Sequence, residues 1–415
     1  MKKTILLFLS LSIFFIAQAQ VSKTINVATA GRLSTLLTAD EKTTVTNLTL
    51  SGNIDARDVK CMRDEITAMA VLDISAASIQ EYIGSAGTSS TSSLFYPANE
   101  MPQHSFRNPN TVTGNVTLKT ITLPAAITSI GSSAFSGCGG LSGSLILPNS
   151  VTSIGSSAFS YCSGLTGRLT IPNSVTSIGS SAFSYCRGLT GSLTIPNSVT
   201  SIEDLAFMGC SGLTGSLILP NSVTFIGDFV FYNCTGLTSS LTLPNSVTSI
   251  GNGSFLNCRG LTNVTIGSGA ITIGDYVFEN CTGLQKISVT RSLPPAIYSN
   301  TFKGVNKETT VLEIPIGSKA AYQIAPYWKE FFLFNEADMT GTNETVMSGH
   351  QVKVYAGHSA IVVEGTSSGE TVSLYTLNGV QVQSIKSQGE RVLLPIQRER
   401  VYLVKTQSKT FKVIL

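Results

Sequence analysis

Residues 172–189 read PNSVTSIGSSAFSYCRGL, and nearly the same string occurs at 148–165 and again at 196–213. The most regular mark of this repeat is a cysteine, which recurs at positions 138, 162, 186, 210, 234, 258 and 281. The successive spacings are 24, 24, 24, 24, 24 and 23 residues, a regularity that chance does not produce. The middle of the chain is therefore an array of structural repeats, and the structure of one repeat predicts that of the others.

Each repeat is predicted to begin with a short strand. Leu169 and Ile171 flank Thr170 with the period-two alternation that points alternate side chains to opposite faces. Pro172 ends the strand, because proline lacks a backbone donor for the ladder. A period in the twenties with a Leu-x-Ile strand is typical of a leucine-rich repeat solenoid.

The remainder of each repeat is expected to return to the core. Val175 and Ile178 are predicted to face inward, Gly179 to allow a tight bend, and Ala182-Phe183 to begin a helical turn that buries the ring. One repeat is too small to bury a core of its own, so neighbouring repeats must stack and both ends need caps. The predicted fold class is a repeat solenoid with a 23–24 residue period, mainly β with short helical turns.

Both caps can be placed on the sequence. An N-terminal α/β cap with an irregular first coil is expected at 20–110, with helices at 30–37 and 56–66 and a strand at 45–50. The solenoid and its C-terminal cap are expected at 111–333. This C-terminal cap is predicted to hold a last strand at 311–315 and a closing amphipathic helix at 318–332, whose apolar side carries Tyr322, Trp328 and Phe331.

The repeat resembles a known family. The string Pro-Asn-Ser-Val-Thr-Ser-Ile-Gly-x-x-Ala-Phe-x-x-Cys-x-Gly-Leu is similar to the leucine-rich repeats of BspA-like surface proteins of Bacteroidota and some other anaerobes. The segment from Pro295 to Phe331 is similar to the usual C-terminal cap of that family. This resemblance implies adhesion or ligand binding outside the cell.

The chain begins with a segment that has the pattern of a secretory signal peptide, at 1–19. Lys2 and Lys3 precede an apolar run, and Ala17-Gln18-Ala19 supplies a small-x-small cleavage site. The mature chain is therefore expected to start at Gln20, without a transmembrane span. The expected location is secreted or on the cell surface, at the outer-membrane exterior.

The end of the chain follows a different period. A polar linker is expected at 334–349, and period-two hydrophobic runs at 350–415 predict a small β-sandwich of about seven strands. The pattern around Leu374-Tyr375 and Val401-Tyr402 resembles the C-terminal sorting domains of the type IX secretion route, although Arg400 stands where such domains usually have glycine. The resemblance implies contact with export machinery through residues 350–415.

Composition argues against several functional classes. Only 12% of the 415 residues are charged and the net charge is +3, so a nucleic-acid protein built on a basic patch is excluded. The repeating cysteines are predicted to be buried, reduced thiols, with disulfides and metal binding as the alternatives. No cofactor and no metal site are predicted.

Candidate catalytic groups are few. Gly365-Thr366-Ser367-Ser368-Gly369 satisfies a nucleophile motif that works only on a strand-to-helix elbow, and here it joins two predicted strands. Glu203-Asp204 is expected to be a solvated corner, and the histidines at 104, 350 and 358 share no metal spacing. The chain is therefore predicted not to be an enzyme.

The strands supply the candidate binding residues, because their outward positions form two columns that are rich in hydroxyl groups. The first column is Thr122, Ile146, Thr170, Thr194, Ile218, Thr242, Thr265 and Ser288, and the second is Thr120, Ser144, Arg168, Ser192, Ser216, Ser240, Asn263 and Lys286. Solenoids bind partners on such extended surfaces. A plain solvent-tolerant β surface is the alternative, and the turn asparagines at 149, 173, 197, 221 and 245 are a second candidate surface.

These observations favour an exported, non-catalytic protein that binds an extracellular protein or glycan through the strand face. Two alternatives remain at this point. One is a secreted enzyme that acts on polysaccharide with a site in the caps, and the other is a passive surface spacer.

Overall fold

The computed structural model describes residues 20–89, 94–107, 114–339, 353–356, 360–364, 371–376, 380–387, 391–395, 401–405 and 410–414. The chain divides into two compact units. The first unit comprises Met1–Val264, Gly269–Leu284 and Ala296–Val305, and the second comprises Thr265–Ser268, Gln285–Pro295 and Asn306–Leu415.

The described elements are mostly short strands. The helices are α1 Leu33–Leu36, α2 Ala39–Thr44, α3 Ala56–Asp64 and α4 Lys319–Ile324, with a 3₁₀ turn at Trp328–Glu330. The strands up to the C-terminal cap are β1 Ser22–Val27, β2 Asn47–Ile54, β3 Val71–Ile79, β4 Tyr82–Gly84, β5 Leu94–Tyr96, β6 Glu100–Met101, β7 Thr120–Thr122, β8 Ser129–Ile130, β9 Ser153–Ile154, β10 Ser177–Ile178, β11 Gly191–Thr194, β12 Ser201–Ile202, β13 Leu213–Ile218, β14 Phe225–Ile226, β15 Ser240–Leu243, β16 Ser249–Ile250, β17 Asn263–Ile266, β18 Thr272–Ile273, β19 Lys286–Val289, β20 Val311–Pro315 and β21 Leu333–Ala337. The tail strands are β22 Lys353–Ala356, β23 Ala360–Glu364, β24 Thr371–Thr376, β25 Gln381–Lys386, β26 Arg391–Pro395, β27 Val401–Lys405 and β28 Thr410–Ile414.

The inward and outward directions of the repeat strand are confirmed. Leu193 and Ile195 are buried, whereas Thr194 between them is exposed. The predicted hydrogen-bonded strand around Thr170 is wrong, since no strand is assigned there and the pairing with the next coil on this side is the isolated bridge Gly167–Leu189. The alternation therefore determines which side chains are buried even where the strand ladder is incomplete.

A second ladder, which the sequence did not predict, runs through a two-residue strand of each coil, which is Ser-Ile in five of the eight strands. Eight two-residue strands form one parallel sheet in the order β18-β16-β14-β12-β10-β9-β8-β6. Ser177 and Ile178 pair with Ser153 and Ile154 of the preceding coil. Ile178 is buried as predicted, so this sheet supplies a second wall of the core.

The segment after Gly179 is not the helical turn that the sequence predicted. Ser181 and Tyr185 have left-handed φ values of 57° and 58°, which an α-helix of L-residues does not contain. Every second backbone N–H here donates to the next coil: Ser181 to the Asp204 carbonyl at 2.9 Å, Phe183 to that of Ala206 at 2.8 Å, and Tyr185 to that of Met208 at 2.6 Å. The backbone groups are thus satisfied between coils, and the Phe183 ring is still fully buried.

The prediction for Gly179 also needs correction. Its φ is not in the left-handed region, so no bend at this position requires glycine. A Cβ at Gly179 would instead lie 2.7 Å from the backbone nitrogen of Ser156 and 2.8 Å from the carbonyl carbon of Gly155. The glycine is needed because the backbones of two successive coils approach each other closely.

One phenylalanine per coil forms a continuous stack in the first unit. The ring centroids of Phe159 and Phe183 lie 5.4 Å apart with an interplanar angle of 5°. The stack starts at Phe106 in the irregular first coil, whose ring lies 5.6 Å from that of Phe135. The aromatic rings therefore link successive coils through the core.

The N-terminal cap has the same strand period as the solenoid. Strands β1, β2, β3 and β7 form a parallel sheet in that order, with Thr24 opposite Thr49, Thr49 opposite Asp73 and Asp73 opposite Thr122. The helix predicted at 30–37 is wrong in extent, because α1 covers four residues and a capping box between Thr38 and Glu41 starts α2 immediately afterwards. The helix predicted at 56–66 is confirmed as α3 and begins at a capping box on Asp55.

In the second unit, the C-terminal cap is assembled around three buried aromatic residues. Tyr322, Trp328 and Phe331 are buried as predicted. The Trp328 indole donates to the Pro295 carbonyl at 2.8 Å, and the Tyr322 hydroxyl donates to the Arg291 carbonyl at 2.7 Å. The single closing helix predicted at 318–332 is wrong: α4 ends at Ile324, because a residue that precedes proline, here Ala325, disfavours the helical conformation.

Strand β21 moves the expected domain boundary. It pairs in parallel with β20 from Val311–Leu333 to Pro315–Ala337 and so extends beyond residue 333. Residues 334–337, which the sequence assigned to the polar linker, therefore belong to β21. The tail strands form two antiparallel sheets, β22-β23-β26 and β25-β24-β27-β28, around a core that includes Ile361, Leu374 and Val404.

Candidate binding surface

The outward strand positions of the first unit form the candidate surface. The Leu-x-Ile alternation turns these side chains away from the core, and Ile146, an apolar residue, is 80% exposed. Ile218 is half-buried. The other first-column positions in this unit are exposed, namely Thr122, Thr170, Thr194 and Thr242. The surface is therefore uncharged along this column and combines hydroxyl groups with β-branched methyl groups.

The adjacent column is also hydroxyl-rich, and several of its side chains are joined across coils. Arg168 donates from Nη2 to Thr194 Oγ1 at 3.4 Å and so connects the two columns. Asn263 donates from Nδ2 to Ser240 Oγ at 3.2 Å. The exposed or half-buried positions of this column in the first unit are Thr120, Ser144, Arg168, Ser192, Ser216, Ser240 and Asn263.

The structure adds three residues that sequence reasoning missed. Thr24, Thr49 and Asp73 follow the same register as Thr122 through the sheet of the N-terminal cap. The signal was present in the spacing, because residues 24, 49 and 73 are separated by 25 and 24 residues. The cap carries helices instead of the turn string that the repeats share, and this obscured its period.

Some of the candidate binding residues in the second unit are not exposed to a partner. Thr265 and Lys286 are half-buried, whereas Ser288 is only 5% exposed, so its predicted exposure is wrong. Ser288 Oγ donates to Glu313 Oε2 at 2.7 Å, and Lys286 Nζ reaches the same oxygen at 3.1 Å. Burial alone would raise the pKa of Glu313, but these hydrogen bonds outweigh it and lower the pKa. Ser288 and Lys286 are thus engaged with the strand next to them.

The repeating cysteines are core residues, as their burial and their hydrogen bonds show. All eight thiols are free and buried. Cys186 Sγ donates to the Phe159 carbonyl at 3.0 Å, and the same contact recurs at neighbouring coils. Burial raises the pKa of Cys210 to about 12, which keeps the thiol protonated at neutral pH and suits neither a nucleophile nor a metal ligand.

The other ionisable residues that the sequence analysis considered as catalytic or metal-binding groups show no such site among the described residues. The exposed carboxylate of Glu203 accepts from Ser201 Oγ at 2.9 Å, and that of Asp204 accepts from the Asp228 amide at 2.8 Å, so the pair is a solvated corner as predicted. His104 is half-buried, and burial lowers its pKa with help from Arg107 and Arg63. Residues 1–19, His350, His358, the Gly365–Gly369 motif and Arg400 lie outside the described residues. Among described residues, no three His, Cys, Asp or Glu side chains come together as a metal site.

A depression of ≈ 480 Å³ lies on the C-terminal cap within the second unit. Its lining comes from β20, β21 and α4 and includes Lys319, Gln323 and Phe332. This lining contains one ionisable group, the Lys319 amine, and neither a carboxylate nor a histidine that could act as a general base. The depression therefore does not supply the acid-base pair that hydrolysis of a polysaccharide needs.

Comparison with protein families gives a match over the repeats. The profile described as the BspA type Leucine rich repeat region matches residues 113–214 and 213–320, in six copies that together span just over half of the chain. No curated protein matches the chain.

Several solved structures are similar to the chain. A leucine-rich repeat protein of T. pallidum is 20% identical, with 41% of this chain and 90% of that chain covered and a TM-score of 0.28. One from Bacteroides ovatus is 22% identical, with 66% and 86% covered and a TM-score of 0.31. A leucine-rich cell surface protein from Faecalibacterium prausnitzii is 23% identical, with 69% and 87% covered and a TM-score of 0.29.

Proposed function

Because the chain belongs to the BspA-type leucine-rich repeat family, we propose that it is an exported, non-catalytic protein that binds an extracellular protein or glycan through its strand face. The strand face is here the set of outward positions Thr122, Ile146, Thr170, Thr194, Ile218 and Thr242 with the adjacent column at 120–263. Adhesion is the role that family membership favours.

One observation carries this proposal. Ile146 is 80% exposed and lies within a column of exposed threonines, so β-branched methyl groups face solvent beside hydroxyl groups along successive coils. Such a surface offers apolar contact area together with hydrogen-bond donors and acceptors, and there is little charge to desolvate when a partner docks. A surface that only had to remain soluble would be expected to carry more charge.

An enzyme with a site in the caps is the second hypothesis, and two ionisable groups of the N-terminal cap, Asp58 and Arg63, do not favour it. The buried Asp58 carboxylate accepts from the backbone amides of Gly31 at 2.6 Å, Leu33 at 2.8 Å and Asp55 at 2.9 Å. Arg63 donates to the carbonyls of Thr88 at 2.6 Å and His104 at 2.8 Å. These groups hold the cap together and are not free to transfer protons to a substrate.

Charge introduced on the strand face tests the proposal. Purified protein is first screened against immobilised extracellular-matrix proteins and glycans, and the strongest ligand is kept. The double variant Thr170→Lys/Thr194→Lys should then weaken binding about tenfold or more, because two ammonium groups would have to be desolvated at the contact.

The matched control is Asn173→Lys/Asn197→Lys, which adds the same charge to exposed turns of the same two coils. If the control loses binding and the strand-face variant keeps it, the asparagine turns are the binding surface and the strand-face proposal fails. If no ligand in the screen binds the wild-type protein, the passive-spacer hypothesis is favoured.

The domain organisation and the location belong to the same proposal. We propose a signal peptide at 1–19, an N-terminal cap at 20–110, a solenoid that ends with β21, a polar linker from Asp338 to about residue 349, and a sorting-domain-like tail at 350–415 that contacts the export machinery. None of the described helices has the length and apolar character to cross a bilayer. This proposal predicts a secreted or surface-exposed mature protein.

A further inference from the structure

Two stacked tyrosines stand out on the turn side of the solenoid, away in sequence from the strand face. Tyr161 and Tyr185 each directly precede the repeating cysteine of their coil, and their ring centroids lie 4.7 Å apart with an interplanar angle of 20°. The Tyr161 side chain is 56% exposed. The guanidinium carbon of Arg187, an exposed residue, lies 5.4 Å from the centre of the Tyr185 ring. Together they form a stack of two aromatic rings with the cation over the Tyr185 ring.

The backbone at this position does not favour tyrosine. The residue before the repeating cysteine has a left-handed φ, between 57° and 75°, in all seven coils, and glycine or asparagine adopts this conformation at least cost. Five of the coils follow that preference, while two adjacent coils carry tyrosine. The residues at this position are Gly137, Tyr161, Tyr185, Gly209, Asn233, Asn257 and Asn280. Two adjacent coils thus carry a bulky aromatic residue where the other coils carry the favoured ones, which points to a function that requires the side chain.

The other coils show what stability alone selects at this position. Asn257 donates from Nδ2 to Asn233 Oδ1 at 2.9 Å, and Asn280 donates in the same way to Asn257 at 3.0 Å. The tyrosine pair replaces such hydrogen bonds by exposed aromatic surface. Gly209 leaves room for it, because a Cβ there would lie 2.6 Å from Cδ1 of Tyr185.

We propose that Tyr161, Tyr185 and Arg187 form a binding site for a sugar ring that carries a carboxylate. The face of the Tyr161 ring that is turned away from Tyr185 can contact the apolar C–H face of a pyranose through dispersion and hydrophobic burial, while Tyr185 supports that ring from its other face. Arg187 makes no ion pair with any carboxylate in the part of the chain that the structure describes, so its guanidinium can pair with the ligand carboxylate. This site is separate from the strand face and does not depend on the function proposed for it.

Substitution by asparagine separates binding from folding. The double variant Tyr161→Asn/Tyr185→Asn removes both rings but installs the residue that three other coils carry in this conformation. Its melting temperature should equal or exceed that of the wild-type protein. Calorimetric titration should show wild-type binding to trigalacturonic acid or to sialyllactose, and binding about tenfold weaker or more in the variant.

Three controls make the result specific. Tyr276→Asn makes the same change at another left-handed tyrosine, with φ 59°, and should leave binding unchanged. Arg187→Ala should abolish the preference for the acidic probes over maltotriose and lactose. Thr170→Lys/Thr194→Lys should leave this binding intact, so a failure here is distinguishable from a failure of the strand-face proposal.

The two acidic probes distinguish a polyuronate from a sialylated glycan as the ligand source, and binding of either supports the site. The inference is overturned if neither acidic probe binds the wild-type protein, if the double asparagine variant binds as tightly as wild type, or if the neutral sugars bind equally well.

Discussion

At the scale of single residues, one column of identical side chains can connect the coils of the whole array. Phe183 has neighbouring rings on both sides, with centroids 5.4 Å from Phe159 and 5.5 Å from Phe207. The ring is fully buried, so its removal leaves a cavity that is lined by two other rings and that neighbouring coils cannot readily fill.

Replacement of Phe183 by alanine should therefore destabilise the protein by about 3–5 kcal/mol. The free energy of unfolding from urea titration checks this value. Phe95→Ala is the control, because that side chain is 57% exposed and its loss should have little effect. A measured loss below about 1 kcal/mol for Phe183→Ala would show that the ring does not support the core.

The buried thiols predict a dependence of stability on pH. Burial raises the pKa of Cys138, Cys210 and Cys281 to about 12 in the folded protein, against about 8.5 in an unfolded chain. Below about pH 8.5 both states keep the protons, and the stabilising contribution is complete. As the pH rises from about 8.5 toward 12, the unfolded chain releases protons that the folded protein retains, so the free energy of unfolding falls.

Urea midpoints at about pH 7.5 and about pH 9.5 test this expectation. The Cys210→Ala variant serves as the control, because it removes one titrating group and should show a smaller loss over the same interval. Equal losses in wild type and variant would contradict the assignment. The same burial predicts that alkylating reagents modify the repeating thiols only after denaturation.

At the scale of elements, the coil is held by short parallel ladders whose backbones approach closely. The two-residue strands β9 and β10 pair at Ser153–Ser177 and Ile154–Ile178, and the backbone of Gly179 then passes next to that of Gly155 and Ser156. A side chain at position 179 would force the neighbouring coils apart and would weaken the strand pairing between them.

The Gly179→Ala variant should accordingly lose about 1–3 kcal/mol of stability, because its Cβ would lie 2.7 Å from a backbone nitrogen that cannot move aside. Gly139→Ala is a matched control, since a Cβ there would lie 3.5 Å from Ser163 Oγ and 3.9 Å from the Tyr161 carbonyl oxygen, which are ordinary contacts. The control should be neutral or slightly stabilising, because alanine restricts the unfolded chain. Equal thermal melting shifts for both variants would contradict the close-approach explanation.

At this scale, an element could be predicted only where its structure requires a recognisable pattern in the sequence. The alternation at Leu193 and Ile195 correctly predicted burial, since it repeats in every coil. The Ser177–Ile178 strand escaped detection because two residues are too few to show a period. The left-handed residues were missed because serine and tyrosine at 181 and 185 do not signal that conformation, whereas the glycines and asparagines of other coils do.

The exposure of the candidate binding residues could be predicted only where it depends on local sequence. The outward direction of Thr170 and Thr194 follows from local alternation and was correct. Ser288 has the same position in the pattern, but Glu313 on the following strand covers it, and that contact depends on the cap. The tyrosine pair was missed altogether, because its significance lies in a backbone conformation that only the structure reveals.

At the scale of the whole molecule, the strand period of the solenoid extends over more of the chain than the repeated sequence string does. The cap strands β1, β2 and β3 continue the register of β7, so the N-terminal cap is a set of modified coils. At the other end, β21 adds a parallel strand to β20 after the aromatic cluster. Repeat arrays need such terminal coils, because an end coil has no neighbour to cover its core.

The pairing of β21 with β20 predicts which C-terminal truncations the fold tolerates. Truncation after Phe332 removes β21, whose five residues pair with Val311–Pro315, and should lower the melting temperature by several degrees. Truncation after Ala337 keeps that strand and should leave the melting temperature of the remaining protein unchanged. Differential scanning calorimetry of the two truncated proteins beside the full chain measures the difference.

The same pair of truncations tests the proposed role of the tail in export. The protein that ends at Ala337 should be folded but retained in the periplasm of its native host, because the sorting-domain-like residues 350–415 are missing while the solenoid is intact. Surface labelling and cell fractionation report the location, and circular dichroism confirms that the retained protein is folded. If the chain that ends at Ala337 reaches the surface normally, the tail is dispensable for export. If its melting temperature falls as far as that of the chain that ends at Phe332, the tail stabilises the fold, and the sorting proposal loses its structural premise.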